Sequence, residues 1–233
     1  MSKLKRQMEE WAGIFGKEYT DRNALSLQEM EALYKEHYGI TRTEMNSKFI
    51  GDFDRDMKIL EVGSNIGNQL LLLQKMEFKN LYGIELQPYA VELAKSRTQG
   101  INIIRGSAFD SPFRDCFFDM VFTSGLLIHI APDDITAVLD EIYRCTKRYI
   151  WGMEYFAETY TQVEYRGHND LLWKTDFPKL FLDRFANIKF VKKKFFKYMD
   201  NDNVDVMFLL LKSRSTIPIK NKRMEDVCRK LCF

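Results

Sequence analysis

The sequence predicts an α/β protein with a doubly wound, mostly parallel sheet, closed by an antiparallel hairpin and preceded by a helical cap. Three observations predict it. Ile59-Leu60-Glu61-Val62 reads as a short buried strand, Gly63-Ser64-Asn65-Ile66-Gly67 as a tight turn, and Gln69 to Met76 as a helix, which together make a strand–turn–helix unit. After residue 52, strand-like runs at 57–62, 81–85, 101–105, 118–123 and 148–154 alternate with helix-like segments near 67–76, 88–98 and 133–146, the signature of βαβ crossovers and a parallel sheet. The runs 188–198 and 204–212 are separated by only a short polar turn around Asp200-Asn201-Asp202-Asn203. No crossover fits there, so these two form a hairpin and the sheet reaches seven strands with an antiparallel end.

The elements follow in order. Over residues 1–50, Trp11, Phe15 and Tyr19 recur at i, i+4 and i+8, and Leu27, Met30, Leu33, Tyr34 and His37 keep a helical rhythm. This is the predicted cap, with a main domain at 51–212 and a basic tail at 213–233. Residues 155–178 break the alternation with a polar, aromatic insertion after the fifth strand. It leaves the carboxyl end of a strand, where open α/β sheets bind ligands.

Composition narrows the function classes. With 233 residues and 45% hydrophobic content the chain can bury a full core. Met1-Ser2-Lys3-Leu4-Lys5-Arg6 precedes no apolar stretch, and no window approaches the roughly 20 apolar residues of a membrane span, so a cytoplasmic protein is expected. Cys116, Cys145, Cys228 and Cys232 form no C-x-x-C pair and there are three histidines, which argues against a disulfide framework or a metal site. Residues 189–233 hold 12 Lys and Arg against 5 Asp and Glu, leaving 23 against 28 for the rest. Lys192-Lys193-Lys194 and the tail could attract anions, but a solvated strand end is the better reading and nucleic acid is not expected.

The chemistry concentrates at the glycine turn. Glycine lets backbone N–H groups approach a ligand, and the following helix start adds free donors. Glu85 closes the next strand 22 residues after Gly63, where doubly wound folds place an acid on ribose hydroxyls. A nucleoside cofactor is therefore expected. A dinucleotide is not, because Asn65 and Asn68 stand where G-x-G-x-x-G needs glycines. The alternatives are a βα turn without a ligand and an ordinary exposed strand-end acid at Glu85.

Glu61, Val62, Gly63 and Gly67 resemble the first motif of class I S-adenosylmethionine-dependent methyltransferases, with Asn65 in place of the middle glycine. Ile104-Arg105-Gly106-Ser107-Ala108-Phe109 resembles the segment flanking adenine, with Ser107 where many members have Asp. Phe118-Asp119-Met120-Val121-Phe122-Thr123-Ser124 resembles the fourth motif. The opening Trp11-Ala12-Gly13-Ile14-Phe15-Gly16-Lys17-Glu18-Tyr19-Thr20-Asp21-Arg22-Asn23 is similar to that of a bacterial methylase family associated with pseudaminic acid and surface-polysaccharide biosynthesis. So are Ser124 to Ile130, Glu154-Tyr155, Tyr165-Arg166-Gly167-His168 and Leu172 to Phe177. The resemblance covers about residues 7–212.

The resemblance implies S-adenosylmethionine as cofactor and a Rossmann-like class I methyltransferase fold. The first-motif contacts would come from Glu61, Gly63, Asn65, Gly67 and Asn68, those to ribose from Glu85 with Leu86 beside it. Ser107, Ala108 and Phe109 would flank adenine, with Ser124 beside the methionine portion. Tyr19, Arg22 and Asn23 suit a cap, Arg22 pairing with the methionine carboxylate, whereas Trp11 and Phe15 are expected only to pack. Tyr155, Tyr165, Arg166 and His168 would meet a small-molecule acceptor. His129, Glu154 and His168 are the candidate catalytic groups, with a pocket-shaping role for His129 as the alternative. The acceptor expected is an amine or hydroxyl of a small polar metabolite, a sugar or nucleotide-sugar. A peptide acceptor and a non-catalytic cofactor-binding partner protein remain as alternatives.

Overall fold

In the computed structural model, which describes residues 3–213, the chain opens with four helices. These are α1 (Lys3–Ala12), α2 (Ile14–Arg22), α3 (Leu27–Tyr38) and α4 (Arg42–Ile50). Their boundaries follow local chemistry. Ser26 with Glu29, and Thr41 with Glu44, form reciprocal capping boxes that start α3 and α4. Gly39, in the left-handed region, ends α3. The helices do not stand apart from the sheet. Met45, Phe49 and Ile50 of α4 are buried in the same cluster as Ile59, Met120 and Trp151.

The sheet has β1 (Lys58–Val62), β2 (Asn80–Glu85), β3 (Asn102–Arg105), β4 (Phe118–Ser124) and β5 (Thr146–Tyr155), all parallel. Between them run α5 (Asn68–Lys75), α6 (Pro88–Arg97) and α7 (Ile135–Cys145). The hairpin of β8 (Ile188–Lys197) and β9 (Val204–Lys212) joins antiparallel to β5 through β9. The strand order is β3-β2-β1-β4-β5-β9-β8, the Rossmann-like class I methyltransferase arrangement. Both faces are covered, which explains why the strands read as apolar runs rather than alternating ones. Leu60, Val62 and Val121 pack under α7 on one face, while Ile59, Met120 and Phe122 meet α4 and α5 on the other.

The strand direction decides where a ligand can sit. The parallel strands present their carboxyl ends at one edge, and the strand order reverses between β1 and β4, where open sheets form their crevice. Because β9 runs antiparallel, its amino end lies at this same edge. Its register pairs Glu154 with Val206 and Tyr155 with Asp205.

The insertion is more ordered than the sequence implies. A short ladder of β6 (Thr161–Gln162) and β7 (Trp173–Lys174) makes it a hairpin, and α8 (Phe177–Arg184) follows at once. Asp176 caps α8 by accepting from the Lys179 amide, and Pro178 sits in its first turn. The basic tail beyond Ser213, with Cys228 and Cys232, lies outside the described residues. Among the described residues no helix is long and apolar enough to cross a membrane.

Candidate functional site

A cavity of about 530 Å³ opens at the carboxyl edge of the sheet under α1, α2 and the insertion hairpin. Its cofactor-like half begins at the glycine turn. Gly63 has φ +74°, and the Gly63 and Ser64 amides both donate to the Ile84 carbonyl, fastening the turn to β2. Asn65 has φ +43°, a conformation that glycine adopts freely and asparagine tolerates better than most, which accounts for Asn at the motif's middle position. Its amide donates to Glu85 Oε2 at 2.9 Å, and the Gln87 amide donates to Glu85 Oε1 at 2.8 Å. One carboxylate, which the Leu86 amide also reaches, thus ties two turns together and keeps acceptor capacity to spare. Burial pushes the Glu85 carboxyl up against these amide bonds.

Several buried polar atoms on this lining have no partner among the described residues: Glu61 Oε2, Ser64 Oγ and Asn65 Oδ1. Burial raises Glu61 well above the usual carboxylate range, opposed by the charge of Arg42. Arg42 is fully buried behind the cavity. Its Nε donates to Asn46 Oδ1 at 2.9 Å and its Nη1 to the Tyr34 hydroxyl at 3.0 Å, and the guanidinium lies over the Tyr34 and Trp151 rings.

The roof is aromatic. Trp11 lies 4.4 Å from the His129 ring, 5.1 Å from Phe15 and 5.3 Å from Tyr19, centroid to centroid. Gln87 Nε2 donates to the Gly13 and Trp11 carbonyls at 2.7 and 3.3 Å, and Gln7 Nε2 to the His129 carbonyl at 2.6 Å. These bonds moor the α1–α2 cap to the β2 and β4 ends. Burial raises the Tyr19 hydroxyl above its usual value.

His129 closes a 3₁₀ turn (Leu127–His129) and is buried. Its Nδ1 stands 2.7 Å from the Leu171 carbonyl. A carbonyl only accepts, so Nδ1 carries the hydrogen and Nε2 the lone pair. Burial pushes the imidazole down to about 4. Glu154, at the β5 end, is also buried and is pushed up to about 7 by desolvation. It accepts from the Leu126 amide at 3.3 Å and the Ile128 amide at 3.4 Å, so its carboxylate shapes the loop that carries His129.

The insertion hairpin supplies the side wall. Tyr165 and His168 exchange backbone hydrogen bonds across Arg166 and Gly167, whose φ values are +54° and +80°. Two positive φ values between paired residues define a type I′ turn. Tyr165 then faces His129 at 5.6 Å, whereas His168 meets Phe15 edge to face at 5.1 Å. Beyond Tyr155 the cavity continues to Tyr34, His37, Tyr38, Tyr198 and Asp205.

Most of the expected site residues line this cavity: Tyr19, Arg22, Asn23, Glu61, Gly63, Asn65, Asn68, Glu85, Leu86, Ser107, Ala108, Phe109, Ser124, His129, Glu154, Tyr155, Tyr165 and Arg166. Some of them are engaged within the protein. Asn23 Nδ2 donates to the Tyr19 carbonyl, and Asn68 bridges the Leu25 carbonyl and Arg97. Arg22 faces Glu18 at 3.9 Å, and Ser107 Oγ accepts from the Phe109 amide.

Two expected contacts lie off the lining. Gly67 starts α5 with φ +79°, and a Cβ there would meet Ile103 and Thr98 at 3.1 and 3.3 Å, so it is required by backbone and packing. His168 is turned onto Phe15 by the tight turn. Trp11, expected only to pack, lines the cavity with a buried indole N–H that has no partner. Gln7, Gln87, Arg42, Tyr38, Tyr198 and Asp205 were absent from the expected set. The aromatic spacing of Trp11, Phe15 and Tyr19 could have pointed to Trp11; nothing local marks the others.

Residues 60–149 match a family described as a methyltransferase domain. An uncharacterized protein of Haemophilus influenzae is 27% identical over 103 residues, which is 42% of this chain and 41% of that protein, so this chain spans about two fifths of the relative's length. Magnesium protoporphyrin IX methyltransferase from Synechocystis, solved with S-adenosylhomocysteine, superposes with TM-score 0.67 at 10% identity, covering 90% of this chain and 100% of that one. Burkholderia thailandensis 1,6-didemethyltoxoflavin-N1-methyltransferase gives 0.58 at 15%, covering 74% and 76%. The [4+2]-cyclase SpnF gives 0.59 at 13%, covering 73% and 79%. At these identities the likeness is one of fold.

Proposed function

We propose that the protein is an S-adenosylmethionine-dependent methyltransferase acting on an amine or hydroxyl of a small polar acceptor, sugar-like in class. One observation carries the reading: the methyltransferase-domain match falls on the segment whose glycine turn, Glu85 and unpartnered Glu61, Ser64 and Asn65 atoms line one cavity. These residues fit the cofactor. A carboxylate with spare lone pairs suits vicinal ribose hydroxyls, and buried acceptor atoms suit an ammonium group. The sugar direction rests on the resemblance of residues 11–23 and 165–168 to the polysaccharide-associated methylases. Between sugar and nucleotide-sugar the former is favoured, because the open carboxylate oxygen of Asp205 on the cavity lining would repel a diphosphate.

When bound, the cofactor would supply an electrophilic methyl group on a sulfonium for in-line transfer to the acceptor's nitrogen or oxygen, giving S-adenosylhomocysteine and releasing the acceptor's proton. What the chain contributes is placement. Glu85 fixes the ribose end, Arg22 is available to the carboxylate, and Ser107 and Phe109 flank the adenine side. Trp11, Tyr19 and Tyr165 roof the cavity and exclude water, and holding two reactants in one orientation is worth several kcal/mol. His129 is held neutral by burial, with its tautomer fixed by the Leu171 carbonyl, and Glu154 sets its loop. Both act here by shaping the pocket around the acceptor.

Calorimetry with S-adenosylmethionine, S-adenosylhomocysteine and NAD tests the cofactor. The first two should bind and NAD should not; tighter binding of NAD would remove the reading. A metabolite-pool screen with methyl-labelled cofactor then reports the acceptor.

A further inference from the structure

The cavity has a second recognition element at the end built by β5 and β9, three strand spacings, or about 14 Å, along the sheet edge from Glu61. Asp205 is only 5% exposed. Its Oδ2 accepts from the Tyr38 hydroxyl at 2.5 Å, and its Oδ1, buried on the cavity lining, has no partner among the described residues. The nearby cations do not neutralise it directly. Arg42 directs its Nε and Nη1 donors to Asn46, Tyr34 and Met153, and Lys174 gives its ammonium to Asn203, so both act on Asp205 only through space.

Around this carboxylate stand phenol rings. Tyr34 and Tyr38 lie 5.5 Å apart, Tyr38 and Tyr198 4.8 Å, and Tyr198 and Tyr155 6.2 Å, centroid to centroid. A buried carboxylate oxygen left open among aromatic faces can accept from a hydroxyl, but a cation offsets more of the cost of burying the charge. For an organic cation it offers a charge-assisted hydrogen bond and ring faces together.

We propose that Asp205, with the wall of Tyr34, Tyr38, Tyr155 and Tyr198, is the acceptor subsite and selects a small molecule bearing a protonated amine. The proposal rests on the methyltransferase reading for its name as an acceptor subsite. The amine held there is a recognition group, anchored by Asp205 as an ion pair, and no proton leaves it at this subsite. Asp205 is thus a specificity-determining residue.

The test uses the full chain. Calorimetry first measures S-adenosylhomocysteine binding. Ligand-observed NMR then measures binding of amino sugars, amino alcohols and alkylamines to the same protein, each paired with its N-acetyl derivative. An amine should bind about tenfold or more tighter than its acetylated partner, the worth of one charge-assisted hydrogen bond. Asp205→Asn should abolish that preference while S-adenosylhomocysteine affinity stays within about twofold. Tyr198→Leu should reduce the preference as an independent variant, and the wild-type comparison requires no variant at all. Equal binding of amines and acetylated partners, or binding of neither, overturns the subsite, as does a preference that survives in Asp205→Asn. Loss of S-adenosylhomocysteine binding with the amine preference intact overturns the methyltransferase reading instead.

Discussion

Arg42→Met removes the buried charge behind the cavity while keeping most of the side-chain volume. The guanidinium donates to Asn46 and Tyr34, and hydrogen bonds from a charged donor are worth about 1.5–3 kcal/mol each. Methionine also leaves Glu61 and Asp205 without the cation that lowers both. Relief of guanidinium desolvation offsets part of this, and breaking a buried charge arrangement by removing one partner typically costs about 3–5 kcal/mol. Urea unfolding at about pH 8 should therefore show a loss in that range with the slope unchanged.

The pH dependence identifies the cause. The folded-state carboxyls of Glu61 and Asp205 lie above their usual values of 4.5 and 3.8, Asp205 at about 6, so their ionisation opposes folding. That penalty is absent below the unfolded values and grows as pH rises to the folded ones. Without Arg42 both folded values move higher, so the gap between variant and wild type should be widest at alkaline pH and shrink as pH falls through about 6. A loss under about 1 kcal/mol, or a gap equally wide at pH 5, would show that Arg42 is not there to balance these acids.

Three further outcomes are expected. Glu85→Ala should weaken S-adenosylhomocysteine binding by about 1–3 kcal/mol in calorimetry, the cost of leaving buried hydroxyls without an acceptor, and unchanged affinity would remove Glu85 as the ribose ligand. Because His129 sits at about 4, the rate should show no imidazole step near about 6.5, and His129→Asn should lower turnover by less than about tenfold. A hundredfold loss with the pH profile flattened would instead assign it as a base. The same residue makes stability fall as pH drops from 6.5 toward 4, since the unfolded imidazole takes the proton first. Arg166→Ala should raise the acceptor's KM with S-adenosylhomocysteine affinity nearly intact; collapse of cofactor affinity alone would reverse the assignment of the hairpin tip.

What the sequence reveals here is what is local. The strand–turn–helix unit at 59–76 and the acid ending β2 lie within one βα unit and the next strand, so spacing alone brings Gly63, Asn65 and Glu85 together. The hairpin of β8 and β9 is equally local, because its turn is too short for a crossover. Asp205 is the opposite case. In Val204-Asp205-Val206 it looks like an outward residue of an alternating strand. Only the antiparallel pairing of β9 with β5 sets it beside Tyr155, and only α3 brings Tyr38 to it. Arg42 reads as an exposed helix-start residue until α4 packs on the sheet and buries it. Gly67 carries a constraint that its motif does not show: a Cβ there would meet Ile103 and Thr98, which are brought to it by the fold. In Tyr165-Arg166-Gly167-His168 the pattern is a turn signal as much as a binding signal, because a type I′ turn favours glycine at its second central position.

The fold by itself leaves the reaction open, since superposable chains include two methyltransferases and a [4+2]-cyclase. The sheet determines that a cavity lies at the carboxyl edge, between β1 and β4. The cofactor half is then written into one continuous stretch, and the residues that would separate one chemistry from another sit in the other half. That half is assembled from α3, the β5 end, Tyr198 and the start of β9, elements far apart in the chain. Its character is electrostatic. Glu154 and Asp205 are buried together with one fully buried cation, Arg42, that touches neither carboxylate. Substitutions at the glycine turn should therefore change cofactor affinity across every acceptor alike. Changes at Asp205 or Tyr198 should re-rank acceptors by charge at constant cofactor affinity, which is how a common fold comes to serve one substrate rather than another.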